Sequence, residues 1–148
     1  MIHFSEERLS TVWEEAVPLM KEHFEETGDF GIEEFNPDKV QYLETDKLNL
    51  SKTFTARTDT DTLVGYSIFF IFPHHHSRER ICAVQDALFL QKKHRGIAGV
   101  RFISFTDLVL EALGASLIFR PVSTKCDYSR TLSRMNYEHV QNGFMRRI

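Results

Sequence analysis

A chain of 148 residues, 42% hydrophobic and 26% charged, is long enough to bury one core without covalent staples and too apolar to remain disordered. Its two cysteines, Cys82 and Cys126, make no disulfide framework, and without a CxxC or a Cys/His ladder they make no zinc site. The longest apolar run, residues 63–73, is broken by Gly65, Tyr66 and Ser67 and is far too short to span a bilayer.

The opening Met1-Ile-His-Phe4 turns acidic at once, unlike a signal peptide. With free thiols that suit a reducing compartment, this predicts a cytoplasmic protein of one domain over residues 1–148. Ser5 reads as the N-cap of a first helix, with Glu6 and Glu7 in its first turn to suit the macrodipole. Leu9, Val12, Trp13, Ala16, Leu19, Met20 and Phe24 recur at helical spacing, and Pro18 is expected to bend or split that helix. Gly28 is its stop. Asn36-Pro37-Asp38 predicts a cap and a first-turn proline for a second helix running to about Leu48.

From Lys52 the pattern becomes strand-like. Lys52–Arg57 alternates, Thr58–Thr62 reads as a turn and Leu63–Phe72 is rich in β-branched and aromatic residues, which together predict a hairpin. Pro73 and the run His74-His75-His76 are expected to break it, and residues 80–90 form the next strand. Helical period returns from Gly96 to Leu113, closed by Gly114. A short strand over residues 115–120, a helix over 128–135 capped by Asp127, and one or two terminal strands over 137–148 complete the order. The fold class this predicts is α/β, a mixed central sheet with helices on both faces.

The most informative stretch joins a strand to a helix through a basic turn, Leu88-Phe-Leu-Gln-Lys-Lys-His-Arg-Gly-Ile-Ala-Gly99. Free backbone N–H groups at the helix start, small residues beside them, and Lys92, Lys93 and Arg95 form an anion cradle. The same Gly96, Ala98 and Gly99 would equally let helix and strand pack closely. The wider charge pattern agrees with an anionic ligand: residues 1–74 carry 15 acidic and 6 basic side chains, residues 75–148 carry 6 and 12. The alternative is that the two halves pair across the fold. Nucleic acid is disfavoured, because Phe89, Phe102 and Phe105 fall at positions that look buried rather than on an exposed stacking platform. His74 and His76 could share one face of an extended chain, but no carboxylate or cysteine pair completes a metal site there. A loop lining the acceptor pocket, with a histidine relaying a proton, suits them better.

This stretch resembles the strand-turn-helix signature of the GNAT superfamily of N-acetyltransferases, a hydrophobic strand followed by Gln/Arg-x-x-Gly-x-Gly/Ala. The likeness extends to Leu63-Val-Gly-Tyr66, to Ala83-Val-Gln-Asp-Ala-Leu-Phe-Leu90 and to Leu132-Ser-Arg-Met-Asn-Tyr137, and is greatest to small phage and prophage members. Either Lys93 or Arg95 can take the Gln/Arg position. The resemblance implies a cleft where two parallel strands splay. Acetyl-CoA would lie there, with Leu88, Phe89 and Leu90 offering backbone groups to its pantetheine arm and the amides of Arg95, Gly96, Ile97, Ala98, Gly99 and Val100 holding its pyrophosphate. CoA would leave as product after direct acetyl transfer to a primary amine. The tyrosine that many relatives carry on the short last helix is replaced here by Leu132, so the family's usual general acid is missing.

Two residues are candidates for the proton chemistry. Strand alternation places Asp86 on one face with Val84, Leu88 and Leu90, looking into the cleft, and an acid among apolar residues has the raised pKa that suits a base. Its other reading is structural, capping a loop or pairing with an arginine. Tyr128 lies one helical turn before Leu132 on the same face and could donate the proton instead, or simply pack as an aromatic. Acidic Glu25, Glu26, Glu33 and Glu34 would draw in a cationic acceptor. A different class of function also fits the missing tyrosine: a GNAT-like fold kept as a binding module that blocks a host protein. The terminal strand offers an edge at which a second copy could pair.

Overall fold

Ile2 and Phe4 alternate with His3 and Ser5, and that alternation prevails over the helix cap predicted at Ser5. In the computed structural model, which describes residues 1–28, 32 and 34–148, Ile2–Glu6 is a strand, β1. It runs antiparallel to β2, Ser51–Thr58, with Ile2 opposite Thr58 and Glu6 opposite Phe54. The Ser5 hydroxyl lies 2.9 Å from that of Thr55, and Glu7 pairs with Arg57 of β2 rather than with a helix end. Phe4 stacks on Phe102 with ring centres 5.0 Å apart.

The first helix, α1, is Leu9–Thr27. It runs through Pro18 without a split and stops at Gly28, whose φ of +81° places it in the left-handed region. The second helix, α2, is Lys39–Lys47, and its cap is Asp38 rather than Asn36: Gln41 N–H donates to Asp38 Oδ1 at 2.9 Å. The proline therefore precedes the cap.

Hairpin pairing follows the sequence at one turn and departs from it at the next. Thr58 N–H donates to Thr62 O across the predicted turn, and β3 is Leu63–His74. Pro73 does not end it. Pairing with β4, Ser77–Leu90, continues through Pro73 opposite Ile81 to His74 opposite Ser77, because β2 reaches only as far as Phe70 and Pro73 has no ladder to donate to on that side. His76 N–H closes the turn on His74 Nδ1.

The third helix, α3, is Ile97–Ala112, and Gly114 follows it at φ +94°. It leads to β5, Ala115–Phe119, which pairs parallel to β4. The last helix, α4, is Ser129–Arg134. The sheet order is β1-β2-β3-β4-β5, mixed in direction. No strand forms over residues 137–148, so the terminal strand predicted there, and the edge it would offer a second copy, are corrected. Val140, Phe144, Met145 and Ile148 supply apolar side chains but stay exposed, and apolar composition without a partner backbone makes no strand.

Two cores confirm helices on both faces. On one, Leu9, Val12, Trp13, Ala16 and Leu19 of α1 pack on Leu63, Tyr66, Ile68 and Phe89. On the other, Phe102 and Leu110 of α3 pack on Phe54, Val64, Phe69, Ala83 and Leu90. Between them the strands come close at Gly65, where a Cβ would lie 2.7 Å from both Phe89 O and Leu90 Cδ1. Gly65→Ala is therefore expected to cost about 1–3 kcal/mol through overpacking, seen as a lower Tm. An unchanged Tm would mean that β3 shifts freely here.

Between described residues the ion pairs stay within one half of the chain or the other, apart from Glu26–Arg95. No helix of the described residues is long and apolar enough to cross a membrane.

Candidate active site

Strands β4 and β5 pair from Ile81 opposite Ala115 to Val84 opposite Phe119. Beyond that point β4 continues to Leu90 while β5 ends, so the edge of β4 over residues 85–90 has no strand beside it. The gap is a cleft of about 270 Å³. It is lined by Gln85 to Leu90 of β4 and by Arg95, Gly96, Gly99 and Val100 around the start of α3. His23 and Glu26 of α1 also line it, as do Cys126, Tyr128 and Thr131.

Most residues singled out in the sequence meet here. Leu88, Phe89, Leu90, Arg95, Gly96, Gly99 and Val100 line the cleft together with Asp86 and Tyr128. Ile97 instead points its side chain to solvent, and Ala98 packs on the α3-side core. The histidine turn is not among the lining residues. Glu33 lies outside the described residues.

Three of the amides predicted to hold an anion, those of Arg95, Gly99 and Val100, donate to backbone carbonyls. Arg95 N–H donates to Lys92 O within a 3₁₀ turn over Lys92–His94, and Gly99 and Val100 N–H donate to Gly96 O. The amides preceding those first helical bonds are Gly96, Ile97 and Ala98. Gly96 holds φ +91°, and a Cβ added at either Gly96 or Gly99 would meet nothing within 4 Å. The Cβ positions of Gly96 and Gly99 at the start of α3 therefore face open space. The Arg95 side chain is already engaged: Nη1 and Nη2 donate to Glu26 at 2.5 and 2.6 Å, and Nε donates to Leu90 O at 2.7 Å.

Asp86 corrects the predicted alternation. The ladder places Ile68 opposite Ala87 and Phe69 opposite Gln85, leaving Asp86 as the extra residue of a β-bulge. Leu88 and Leu90 associate with the α3-side core, whereas Asp86 turns to the α1/α2 face and accepts from Tyr42 Oη of α2 at 2.7 Å. Asp86 lines the cleft and is exposed there, with the Tyr42 phenol against its carboxyl. Burial raises its pKa, and the Tyr42 hydrogen bond draws it partly back.

Tyr128 is the N-cap residue of α4, while Asp127, the predicted cap, accepts from Ser129 N–H at 2.8 Å. The Tyr128 hydroxyl accepts from Gln85 Nε2 at 2.8 Å. Burial pushes its pKa up, against the Gln85 hydrogen bond and the positive charge of Arg120. His23, stacked on Phe89, has Nδ1 2.9 Å from the Tyr66 hydroxyl, and burial lowers its pKa to about 4. It is a neutral imidazole at physiological pH. Glu26 holds the Cys126 thiol at 3.6 Å, and burial with this carboxylate raises the thiol pKa, which disfavours a thiolate nucleophile.

Gln85 and Arg120 escaped the sequence reading. Their signal is a polar residue inside each of two apolar runs, Ala83-Val-Gln85 and Leu117-Ile-Phe-Arg120, where burial demands a partner. Both are buried, and Arg120 Nη1 donates to Gln85 Oε1 at 2.6 Å.

The same architecture recurs in solved acetyltransferases. Ribosomal-protein-alanine N-acetyltransferase from Brucella melitensis biovar Abortus 2308 matches with a TM-score of 0.75 at 17% identity, over 100% of this chain and 99% of that one. An aminoglycoside acetyltransferase from an uncultured soil metagenomic sample, in complex with sisomicin, matches with a TM-score of 0.75 at 16% identity, over 99% and 96%. Glucosamine-6-phosphate N-acetyltransferase from Arabidopsis thaliana gives 0.72 at 6% identity, over 99% and 97%. No family model matches the chain, and no curated protein matches it in sequence. The fold is that of GNAT-type acetyltransferases along its whole length.

Proposed function

We propose that this protein is an acetyl-CoA-dependent N-acetyltransferase that passes the acetyl group directly to a primary amine, of a small molecule or a protein. The observation that carries the reading is convergence. A carboxyl group, a phenol and the N-terminus of α3 open into one cleft at the point where β4 and β5 part. The residues present fit the co-substrate, since Gly96 and Gly99 face open space at the helix start. Gly96, Ile97 and Ala98 supply amides to phosphate oxygens, and Lys92 and Lys93 add charge beside them. The unpaired edge of β4 at Leu88–Leu90 supplies backbone groups to an extended arm. When bound, acetyl-CoA supplies an activated acyl group as a thioester.

The rest is proton management by this chain. A primary amine arrives mostly protonated at pH 7, and its lone pair must be freed before the C–N bond forms. Asp86 takes that proton, directly or through one water, and its raised pKa makes the carboxylate a stronger base than a solvated one. With acetyl-CoA bound, the Tyr128 O–H would supply a proton to the leaving thiolate, and the second proton that nitrogen loses on acylation would return to the Tyr128 phenolate through water. Tyr128 thus does what the residue at the Leu132 position does in relatives. The three similar structures act, by name, on a ribosomal-protein alanine, an aminoglycoside and glucosamine 6-phosphate, and an amine acceptor is common to them.

Isothermal titration with acetyl-CoA, and separately with CoA, tests the reading. Micromolar binding is expected, and a ligand excess of about 1,000 Kd should add about 4 kcal/mol of stability. Gly96→Arg should abolish both effects, because its side chain fills the open space and no longer tolerates φ +91°. A folded protein that binds neither ligand would overturn the reading and leave a binding module on this fold.

A further inference from the structure

We infer that Gln85 and Arg120 are positioning residues that direct the Tyr128 hydroxyl proton into the cleft, an inference that rests on Tyr128 acting as the acid. The argument is one of donors and acceptors. Arg120 is a donor only, and its side chain is fully buried. It gives Nη1 to Gln85 Oε1 at 2.6 Å, Nη2 to Thr106 Oγ1 at 2.7 Å and to Asp107 Oδ1 at 2.6 Å, and Nε to Tyr137 Oη at 2.8 Å. An amide has one accepting end and one donating end. Because the guanidinium accepts nothing, the Gln85 oxygen must face Arg120, and its NH₂ must face Tyr128.

The hydroxyls then follow. Thr106 donates to Ile103 O at 2.8 Å, and Tyr137 donates to Asp107 Oδ1 at 2.7 Å, so each receives Arg120 on a lone pair. Tyr128 receives Gln85 Nε2 on a lone pair and has no such acceptor within the network. Its hydrogen points away from Gln85, and Tyr128 lines the cleft. Once that proton leaves, the phenolate keeps the Gln85 N–H, with the Arg120 charge one amide beyond. The titratable neighbours are Arg120, which favours the phenolate, and Cys126, which opposes it.

Gln85→Glu separates this role from a structural one. The carboxylate still accepts from Arg120, so the fold is retained, but it presents an acceptor to Tyr128 and turns the hydroxyl proton back on itself. Carbon-13 NMR of ring-labelled tyrosine, with Tyr128 assigned through Tyr128→Phe, reads this in the ligand-free protein. The Tyr128 Cζ resonance should move downfield, toward the phenolate value. In steady-state kinetics kcat should fall about 100-fold with KM for acetyl-CoA unchanged, and adding Tyr128→Phe should cost nothing more. Gln85→Met, which removes the donor without adding an acceptor, should lower kcat about tenfold. A Cζ resonance that stays at the wild-type position overturns the inference. So does a shifted resonance with unchanged kcat. Failure of the transferase reading shows separately, as a wild-type protein that does not bind acetyl-CoA.

Discussion

Asp86→Asn is expected to lower kcat by about 10²- to 10⁴-fold, to leave acetyl-CoA affinity unchanged, and to raise Tm at neutral pH. The first effect follows from losing the proposed proton acceptor, and the second from Asp86 not being among the residues proposed to bind acetyl-CoA. The third comes from linkage. Burial raises the Asp86 pKa in the folded state above that of the unfolded chain. Between those two values the native protein binds more protons, so stability falls as pH rises through the window. An asparagine carries no such penalty and still accepts from Tyr42. The sign of the pH profile is also fixed: wild-type kcat/KM should rise with pH as Asp86 ionises, and that limb should vanish in the variant. A purely structural Asp86 predicts the reverse pattern, a lower Tm with turnover intact. Unchanged kcat across pH would remove Asp86 from the mechanism.

That lower-stability ion at the bulge shows where the sequence was legible and where it was not. Elements specified by local chemistry were readable: the turn at Thr58–Thr62, the stop at Gly28, the glycine opening α3, and the strand order from β2 to β5. What failed depended on partners distant in sequence. The strand β1 exists because β2, some fifty residues away, pairs with it, although Ser5-Glu6-Glu7 is a sound helix start by local rules. Its readable trace was the alternation of Ile2 and Phe4. The tail failed in the opposite sense, since Val140 and Phe144 look strand-like but find no ladder. Asp86 could be placed at the cleft but not on its face, because a bulge is a property of two strands. The hydrogen-bonded group around Arg120 joins β4, α3, the end of β5 and the tail, and no window of sequence contains it.

Arg120→Met should be the most destabilising of these changes, by about 3–5 kcal/mol. Arg120 lies just beyond β5, with its guanidinium carbon 4.9 Å from the centre of the Phe69 ring. Methionine keeps the packing of the aliphatic stem and loses the guanidinium head, both its hydrogen bonds and its place over that ring. Asp107 loses its counter-charge with only a quarter of its side chain accessible, and Gln85 Oε1 loses its donor beside the cleft. Unpaired groups of this kind cost far more than the net worth of the bonds they made. Against a total stability of about 5–15 kcal/mol, the loss corresponds to a fall in Tm on the order of 10 °C. Urea unfolding should show it as a lower midpoint with the slope preserved. Arg120→Lys should fall between wild type and Arg120→Met, because one ammonium keeps the charge but cannot reach Gln85, Thr106, Asp107 and Tyr137 together. A midpoint for Arg120→Met within about 0.5 kcal/mol of wild type would mean that water replaces the guanidinium, and that the buried polar group orients Tyr128 without holding the fold.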